Sequence, residues 1–390
     1  MRTVALSEVA QVNPRWTPEA KPDDAVSFVG MANLSDERGR VVAEEQRRVR
    51  EVRTGYTPFL ANDLLVAKIT PCFENGKIGK ATISETYGAG STEFHVVRPG
   101  AELDGRYALH FLRRPHFRAA GELRMTGSGG QRRVPADYVA GTKIPLPSMD
   151  EQHRIADILD KADALRAKRR AAIAHLDALS QSIFHEMFGD PLENPKGARV
   201  KELAELIDPQ RPVTYGILMP GPDQPQGVKY VRVTDIQGGR IRQDTVRSTT
   251  DEIAAKYQRS ALRPGDLLMS IRGHVGRFAL VPAWLDGANI TQDTARLAIV
   301  GAYPTYVREC LSMPSFQHWM ARHTKGVAVR GINLGDVRKM PIPVPAQEHQ
   351  RAFDERVRSV EKLKSAHRAQ LDELDNLFRS LQDRAFKGEL

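Results

Sequence analysis

The chain has only two cysteines among its 390 residues, Cys72 and Cys310, and they lie far apart in the sequence. This scarcity excludes a disulfide framework and a Cys-x-x-Cys metal site, and it is typical of a protein of the reducing cytoplasm. Long hydrophobic runs are also missing. No stretch approaches the roughly 18 apolar residues of a membrane-spanning helix, and the N-terminal segment has no apolar core of a signal peptide. We therefore expect a cytoplasmic protein without membrane contact.

Several motifs of nucleotide-using and DNA-modifying enzymes are absent as well. An amino-methyltransferase holds its flipped base with an Asp/Asn-Pro-Pro-aromatic segment, and this chain contains no Pro-Pro dipeptide. No Gly-Lys-Ser/Thr occurs, which excludes a P-loop. His185-Glu186 is not followed by a second histidine at position 189, so the pair is not a zinc helix. We expect no catalytic residues and no metal ligands in this chain.

What the sequence does have is an internal repeat. Ile144-Pro145-Leu146-Pro147 precedes one long charged segment, and Ile342-Pro343-Val344-Pro345 precedes another 198 residues later. A repeat of this kind constrains the fold more than any local pattern does. We predict an α+β protein with two mixed α/β modules in tandem, each followed by a long helix. The predicted segments are module 1 (1–149), a central helix (150–190), module 2 (191–345) and a C-terminal helix (346–390).

The central helix shows a heptad pattern that predicts packing against another helix. Ser148 and Glu151 have the spacing of a capping box, and Gly189-Asp190-Pro191 stops the helix. The same heptad frame continues in the C-terminal helix, where Arg169 is matched by His367 at the central layer. The expected helix–helix packing residues are Ile155, Ile158, Leu165, Arg169, Leu176, Leu179 and Ile183 in the first helix and Phe353, Val360, His367, Leu374 and Leu381 in the second.

We predict that the two helices pair as an antiparallel coiled coil. The d positions of the second helix are weaker, because Arg356, Gln370 and Arg384 alternate with leucines, while Val357, Leu371 and Phe378 at e widen its apolar stripe. The alternative is two separate amphipathic helices, each lying on its own module. Heptad patterns of this length favour pairing.

The net charge of +9 is concentrated in the two modules. Module 1 has 21 basic and 17 acidic residues, and module 2 has 21 and 14, whereas the helical segments have net charges of −2 and 0. A basic surface without function is one interpretation. The other is that both modules face a polyanion such as DNA while the helices face a different partner.

The two modules share landmarks in the same order. Asp63-Leu64-Leu65-Val66 matches Asp266-Leu267-Leu268-Met269, and Ser91-Thr92-Glu93 matches Thr291-Gln292-Asp293. Thr126 and Arg132 are matched by residues 324 and 330 in the same way. The sequences between these landmarks differ widely, which indicates one scaffold with two different surfaces.

The order of module, helix, module and helix resembles a type I restriction–modification specificity subunit. The resemblance rests on the two Ile-Pro-x-Pro segments, on Glu151-Gln152-His153-Arg154-Ile155 at the start of the first helix, and on the closing Ala385–Leu390 segment. The second helix departs from this pattern, because Gln347-Glu348-His349-Gln350-Arg351-Ala352 replaces the usual Glu-Gln-x-Arg-Ile.

The resemblance implies that each module is a target recognition domain for one half of a split, asymmetric site in double-stranded DNA. It implies that the paired helices set the distance between the half-sites and hold two methyltransferase subunits, which methylate adenine N6. The chain itself then binds no cofactor. S-adenosylmethionine is expected on the methyltransferase subunits, and ATP with magnesium on restriction subunits.

Polar residues in turns between the matched landmarks are the candidates for DNA contact, because Lys and Arg bind phosphates and Arg, Asn, Gln and Thr bind base edges. In module 1 these are Lys68, Thr70, Asn75, Lys77, Thr92, Gln131, Arg132 and Arg133. In module 2 they are Arg232, Thr234, Arg272, His274, Arg277, Gln292, Lys325 and Arg330. Two further functions stay open at this point: a stand-alone DNA-binding protein similar to a repressor, and a coiled-coil scaffold without a nucleic-acid function.

Overall fold

The computed structural model describes residues 2–128, 130–326 and 330–390. The chain forms two compact units. Unit 1 contains Met1–Ala171 and Arg368–Leu390, and unit 2 contains Ala172–His367. Each unit therefore combines one module with parts of both long helices.

The first part of the chain forms short strands and helices before the first long helix. In chain order these are β1 (Arg2–Ala5), α1 (Leu6–Val9), β2 (Ala10–Val12), β3 (Ala25–Val29), β4 (Leu34–Ser35), β5 (Arg40–Val41), β6 (Glu45–Arg48), α2 (Val49–Val52), β7 (Thr57–Leu60), β8 (Leu64–Ala67), β9 (Ile78–Lys80), β10 (Tyr87–Gly90), β11 (Phe94–Pro99), α3 (Gly105–Leu112), α4 (Pro115–Glu122), α5 (Ala136–Gly141), β12 (Lys143–Leu146) and α6 (Met149–Phe188). A 3-10 helix covers Met31–Asn33.

The second part of the chain follows a similar order. Its elements are β13 (Arg199–Glu202), β14 (Thr214–Tyr215), β15 (Val228–Val231), β16 (Ile236–Gln237), β17 (Arg240–Ile241), β18 (Arg247–Thr249), α7 (Asp251–Lys256), β19 (Leu267–Ser270), β20 (Phe278–Leu280), β21 (Asn289–Ile290), β22 (Thr294–Leu297), α8 (Pro304–Ser312), α9 (Pro314–His323), α10 (Leu334–Arg338), β23 (Pro341–Val344) and α11 (Gln347–Lys387). Its 3-10 helices are Leu203–Leu206, Val233–Asp235, Gln258–Ser260 and Ala283–Leu285.

The sheets of the two units have equivalent topologies. In unit 1 the strand orders are β6-β3-β10-β7 and β2-β11-β8-β9-β5-β4, and in unit 2 they are β18-β15-β21 and β14-β22-β19-β20. The first sheet of each unit contains one parallel pair, β3 with β10 in unit 1 and β15 with β21 in unit 2. The internal repeat of the sequence is thus a repeat of architecture, and the predicted α+β class with two long helices is confirmed.

The Ile-Pro-x-Pro segments connect each module to its helix. Each forms a strand that pairs antiparallel with the first strand of its module, β12 with β1 and β23 with β13. Proline is acceptable here because each pair is a separate two-stranded ribbon, where the missing N–H groups interrupt no central ladder. A buried tyrosine secures each segment, since Tyr107 Oη donates to the Pro145 carbonyl at 2.8 Å and Tyr306 Oη to the Pro343 carbonyl at 2.7 Å.

The long helices begin at a glutamine anchor. Gln152 accepts from the Asp104 N–H and donates to the carbonyls of Glu102 and Pro147. Gln350 makes the equivalent bonds, accepting from the Tyr303 N–H and donating to the Pro345 carbonyl. The altered motif of the second helix therefore keeps the glutamine that bonds the helix to its module.

Within each unit the two helical segments run antiparallel. In unit 1, Arg166 Nε lies 2.5 Å from an Asp375 oxygen, and the Arg154 side chain reaches the Leu390 carbonyl at the other end. In unit 2, Lys364 Nζ lies 2.6 Å from an Asp177 oxygen, and Phe184 packs against Phe353. These are pairings within a single chain.

The buried seam of the helices differs from the predicted one. Leu165 and Leu179, two expected packing residues at d, are exposed, as are Leu363 and Leu377 of the second helix. The interior side chains lie at the predicted a positions and at e, where Leu159, Val357 and Phe378 are buried. A seam of a and e has the same alternating spacing of three and four residues as a seam of a and d. The predicted a row is therefore correct, and the second buried row lies one position after the predicted d row.

The remaining expected packing residues lie on or beside this seam. Buried positions are Ile155, Phe353 and Val360, and half-buried positions are Ile158, Arg169, Leu176, Ile183, His367, Leu374 and Leu381. Aromatic rings complete the contact with the modules, since Phe386 packs on Tyr107 and Phe111 in unit 1, and Phe188 and Phe353 pack around Tyr306 in unit 2. No helix among the described residues is long and apolar enough to cross a membrane.

Candidate nucleic-acid interface

Three loops of unit 1 meet beside the end of the buried strand β8. They are the loop that begins at Lys68, the turn at Ser91–Glu93 before β11, and the segment from Thr126 to Val134. Backbone hydrogen bonds hold them together: Lys68 N–H donates to the Glu93 carbonyl, Val134 N–H to the Lys68 carbonyl, and Thr70 N–H to the Arg132 carbonyl. These bonds form because β8 is buried on both faces and its end fixes the start of the loop.

Ion pairs orient the arginines of this loop cluster. Arg133 binds Glu93 with two nitrogens, the shorter contact being 2.8 Å, and Arg132 lies 3.2 Å from Glu74. The hydrogen bond from Arg133, with the charge of Lys68 as a lesser cause, lowers the pKa of Glu93. Gln131 and Thr92 are exposed beside them. Lys68, Thr70, Thr92, Gln131, Arg132 and Arg133 are thus brought together.

Two candidates of module 1 lie apart from this group. The Lys77 ammonium donates to the Met31 carbonyl at 2.9 Å, so the structure gives Lys77 a bond within the module. Asn75 is exposed in the preceding turn and faces a cavity of unit 1 lined also by Arg118 and Arg166. DNA contact by Lys77 and Asn75 stays a prediction.

A buried histidine, His95, bonds the loop cluster to the interior of the module. His95 is 5% exposed, its Nε2 lies 2.9 Å from the Val134 carbonyl, and its Nδ1 lies 3.1 Å from Asn13 Nδ2. These partners assign the neutral tautomer with the proton on Nε2, because a carbonyl accepts and an amide NH₂ donates. Burial lowers the pKa of His95, which agrees with a neutral ring.

Unit 2 builds the same arrangement from different side chains. Arg272 and Lys325 each form an antiparallel β-bridge with Gly331, as Ile69 and Thr126 do with Arg133 in unit 1. Arg272 Nη1 donates to Gln292 Oε1 at 3.2 Å, and the Gly273 N–H donates to the Arg330 carbonyl. Arg272, Gln292 and Lys325 therefore line one cavity, and Arg330 is held beside it by the bond from Gly273. Residues 327–329, between Lys325 and Arg330, lie outside the described part of the chain.

The other four candidates of module 2 have different surroundings. Arg232 binds the fully buried Asp235 and the Thr245 carbonyl, and the hydrogen bond to Asp235 raises the pKa of the arginine. Arg277 donates to the carbonyls of Val233 and Ile236. Both arginines thus hold the loop that presents the exposed Thr234. His274 is exposed, and its carbonyl accepts from Ser270 Oγ.

Acidic residues in these clusters were missed by the sequence reasoning. Glu74, Glu93 and Asp293 lie among the basic side chains, and Asp293 lines the cavity next to Arg272. The candidates in the turns were cations, amides and hydroxyl residues, although carboxylates orient arginines and accept from cytosine N4. The matched positions of Glu93 and Asp293 were the available signal.

The two loop clusters present hydrogen-bonding side chains on loops that backbone hydrogen bonds hold in place. Each presents guanidinium, ammonium and amide groups, and the cluster of unit 1 adds the hydroxyl groups of Thr70 and Thr92. Such groups can bind phosphates and base edges. Among the described residues, no group of three or more His, Cys, Asp or Glu side chains could hold a metal ion.

Comparisons with known proteins agree with these features. Residues 1–175 match the family model of the type I restriction modification DNA specificity domain. The chain is 38% identical over 185 residues to the type I restriction enzyme EcoEI specificity subunit of Escherichia coli, an overlap of 46% of this chain and 31% of that protein. It is 30% identical over 303 residues to the EcoBI specificity subunit of Escherichia coli, which covers 68% of this chain and 62% of the relative. The chain thus spans less than two thirds of either relative.

A solved structure shares the fold over nearly the whole length. The S subunit of a type I restriction–modification system from M. genitalium matches with a TM-score of 0.53 and 14% identity, covering 99% of this chain and 96% of that one. This likeness shows a shared fold. The resemblance found in the motifs is confirmed: residues 1–175 match the specificity domain, and the chain is similar to type I restriction enzyme specificity subunits.

Proposed function

We propose that this chain is the non-catalytic DNA-recognition subunit of a type I restriction–modification complex in the cytoplasm. The observation that supports this most is the repeated loop cluster. Both units place their polar side chains on the same frame, yet Arg133 with Glu93 in one unit corresponds to Gly331 with Asp293 in the other. Equivalent frames with unequal side chains suit a split site whose halves differ in sequence.

The exposed leucines of the helices support a partner surface. In unit 1, Leu165 and Leu377 are 51% and 49% exposed, and the Arg166–Asp375 contact puts them at the same level of the helix pair. In unit 2, Leu179 and Leu363 have the equivalent relation to the Asp177–Lys364 contact. Positions with the same heptad letter beside an antiparallel seam lie on one side of it. One apolar pair in each unit fits two copies of one partner, which we assign to methyltransferase subunits.

The partners supply the chemistry under this proposal. The methyltransferase subunits bind S-adenosylmethionine and methylate adenine N6, and restriction subunits use ATP with magnesium. The modules of this chain select the half-sites, and the helices set the distance between them.

The assignment of one loop cluster to each half-site is tested with Arg132→Ala and Arg272→Ala in the full chain assembled with its methyltransferase. Each substitution should weaken methylation or relax one base position in a single half-site, and the two should affect opposite halves. If the lost contact is to a phosphate, the slope of log affinity against log salt falls by about one unit.

The matched control is Arg199→Ala, an exposed arginine on β13 outside both clusters. Unchanged affinity and methylation in both cluster variants, at low and at high salt, would refute the assignment. Tight, specific DNA binding by the chain without any effect on methylation would instead indicate a stand-alone DNA-binding protein.

A further inference from the structure

Unit 2 contains a basic cavity that the loop cluster does not use. Its volume is about 860 Å³, within the range of small-molecule sites. Six cationic side chains line it, against Asp286 as the one acidic lining residue. The cations are Arg211, Lys256, Arg259, Arg263, Arg296 and Arg338.

Arg296 is the buried member of this set. It lies on the central strand β22 and is 2% exposed. Its Nη2 donates to the Pro212 carbonyl at 2.9 Å and its Nη1 to the Ala261 carbonyl at 3.4 Å. A guanidinium has five N–H donors, so these two bonds leave part of its capacity unused. Its Nε has no acceptor among the described residues.

No carboxylate neutralises Arg296 at salt-bridge distance within the described chain. Asp266, which does not line the cavity, is bound by Arg211 with contacts of 2.8 and 2.6 Å. Burial, followed by the positive charge of Arg211, lowers the pKa of Arg296, and the negative charges of Asp266 and Asp208 oppose this only in part. A buried charge without a counter-ion is unfavourable, and such groups are normally paired.

The scaffold itself does not need a cation at this position. Arg296 pairs with Leu268 across the sheet, and the equivalent pair in unit 1 is Val96 with Leu65. Val96 is fully buried, so a small apolar residue satisfies the same fold. The arginine is therefore better explained by something that it binds than by packing.

We propose that this cavity is an anion site that takes a phosphate group, with Arg296 as its innermost donor. Arginine suits this ligand because its planar fork matches phosphate oxygens with two parallel hydrogen bonds. The surrounding cations Arg263 and Arg259 raise the local concentration of anions, and Tyr257 and Tyr215 line the cavity as surfaces for an attached ring. The phosphate belongs to a free small molecule or to the backbone of the DNA, and the second source depends on the proposed function.

The test uses the full chain, with inorganic phosphate and AMP as probes at constant ionic strength. The variant is Arg296→Met, and the control is Arg199→Met at the exposed position on β13. Saturating phosphate should raise the Tm of the wild type and of Arg199→Met by about 3 to 10 °C, because a ligand that binds only the folded state stabilises it. Arg296→Met should show no such rise.

A second measurement separates the two sources. If neither free probe raises the Tm, the salt dependence of duplex DNA binding is compared. A slope that falls by about one unit in Arg296→Met alone assigns the phosphate to the DNA backbone. Equal responses of all three proteins to free phosphate together with equal salt slopes would overturn the proposal.

Two further outcomes keep this proposal distinct from the others. A phosphate-dependent Tm in a chain that binds no DNA would retain the anion site and reject the DNA-recognition function. If Arg296→Met does not fold, Arg296→Lys replaces it. That variant keeps the charge without the fork, and it should bind phosphate at least about tenfold more weakly.

Discussion

Gln152 and Gln350 join each long helix to the module before it, although the sequence around them differs. Both side chains are almost fully buried and bond to backbone groups of their module. Because the bonds are made by side-chain atoms alone, replacement by leucine leaves buried N–H and C=O groups without partners.

We predict that Gln350→Leu lowers the free energy of unfolding by about 1–3 kcal/mol. Equilibrium denaturation in urea measures it, with the exposed Gln370→Leu on the same helix as the control. A variant as stable as the control would show that the glutamine is not an anchor.

His95 predicts a pH dependence of stability in unit 1. Burial lowers the pKa of His95 in the folded protein, whereas an unfolded histidine has a pKa near 6.5. The unfolded chain therefore takes up a proton first as the pH falls. The contribution to stability is complete above about pH 6.5 and is lost as the pH drops towards the lowered pKa.

The measurement is Tm against pH between about 7.5 and 5. His95→Gln should reduce the decrease on the acid side, while the exposed His116→Gln should leave it as in the wild type. An identical acid profile for His95→Gln would contradict this account.

At the scale of elements, the long helices show what a sequence pattern can and cannot predict. The heptads of α6 and α11 predict two long helices in antiparallel pairing, and both are present. The predicted seam was wrong because leucines occupy d, whereas two of the e positions in the actual seam hold Arg166 and Lys364. These two cations are covered by acidic partners on the facing helix, which no single-helix pattern reveals.

Truncation of leucines at the predicted d and e positions should therefore change the stability by very different amounts. Leu159→Ala should destabilise the protein by about 2–5 kcal/mol, because Leu159 is fully buried. Leu165→Ala should change stability by less than about 0.5 kcal/mol, because the side chain is half exposed. Denaturant unfolding of the two variants decides between the seams, and equal losses would restore the predicted one.

The exposed leucines should matter for assembly instead. We predict that Leu165→Ser combined with Leu377→Ser leaves the Tm within a few degrees of the wild type but weakens binding of one methyltransferase subunit. Size-exclusion chromatography with light scattering measures the stoichiometry, and Leu179→Ser with Leu363→Ser is the matched pair in unit 2. If the variant with serine at all four leucine positions still assembles fully, these leucines are not part of the partner surface.

The candidate site was predictable only in outline. Matched landmarks located the loops, because their backbones are equivalent in both units. They did not reveal that Lys77, Arg232 and Arg277 bond within their own modules. The Lys77 and Arg277 partners include carbonyls 46 and 44 residues away in the sequence. A charged residue in a turn therefore predicts a polar loop. Only its three-dimensional surroundings show whether the side chain holds the loop in place or is free to contact DNA.

At the scale of the whole molecule, the internal repeat is the central fact. Two units of equivalent topology contain loop clusters with different side chains, and one chain contains both. Under the proposed function, each unit recognises one half of a split DNA site whose two halves differ in sequence.

The most direct test of this claim is a genome-wide map of N6-methyladenine in the source strain, with and without this gene. The account predicts that deletion abolishes methylation at one split motif, two short half-sites around a gap of constant length, and that the gene on a plasmid restores it. A map that is methylated at such a motif and unchanged by deletion would contradict the account.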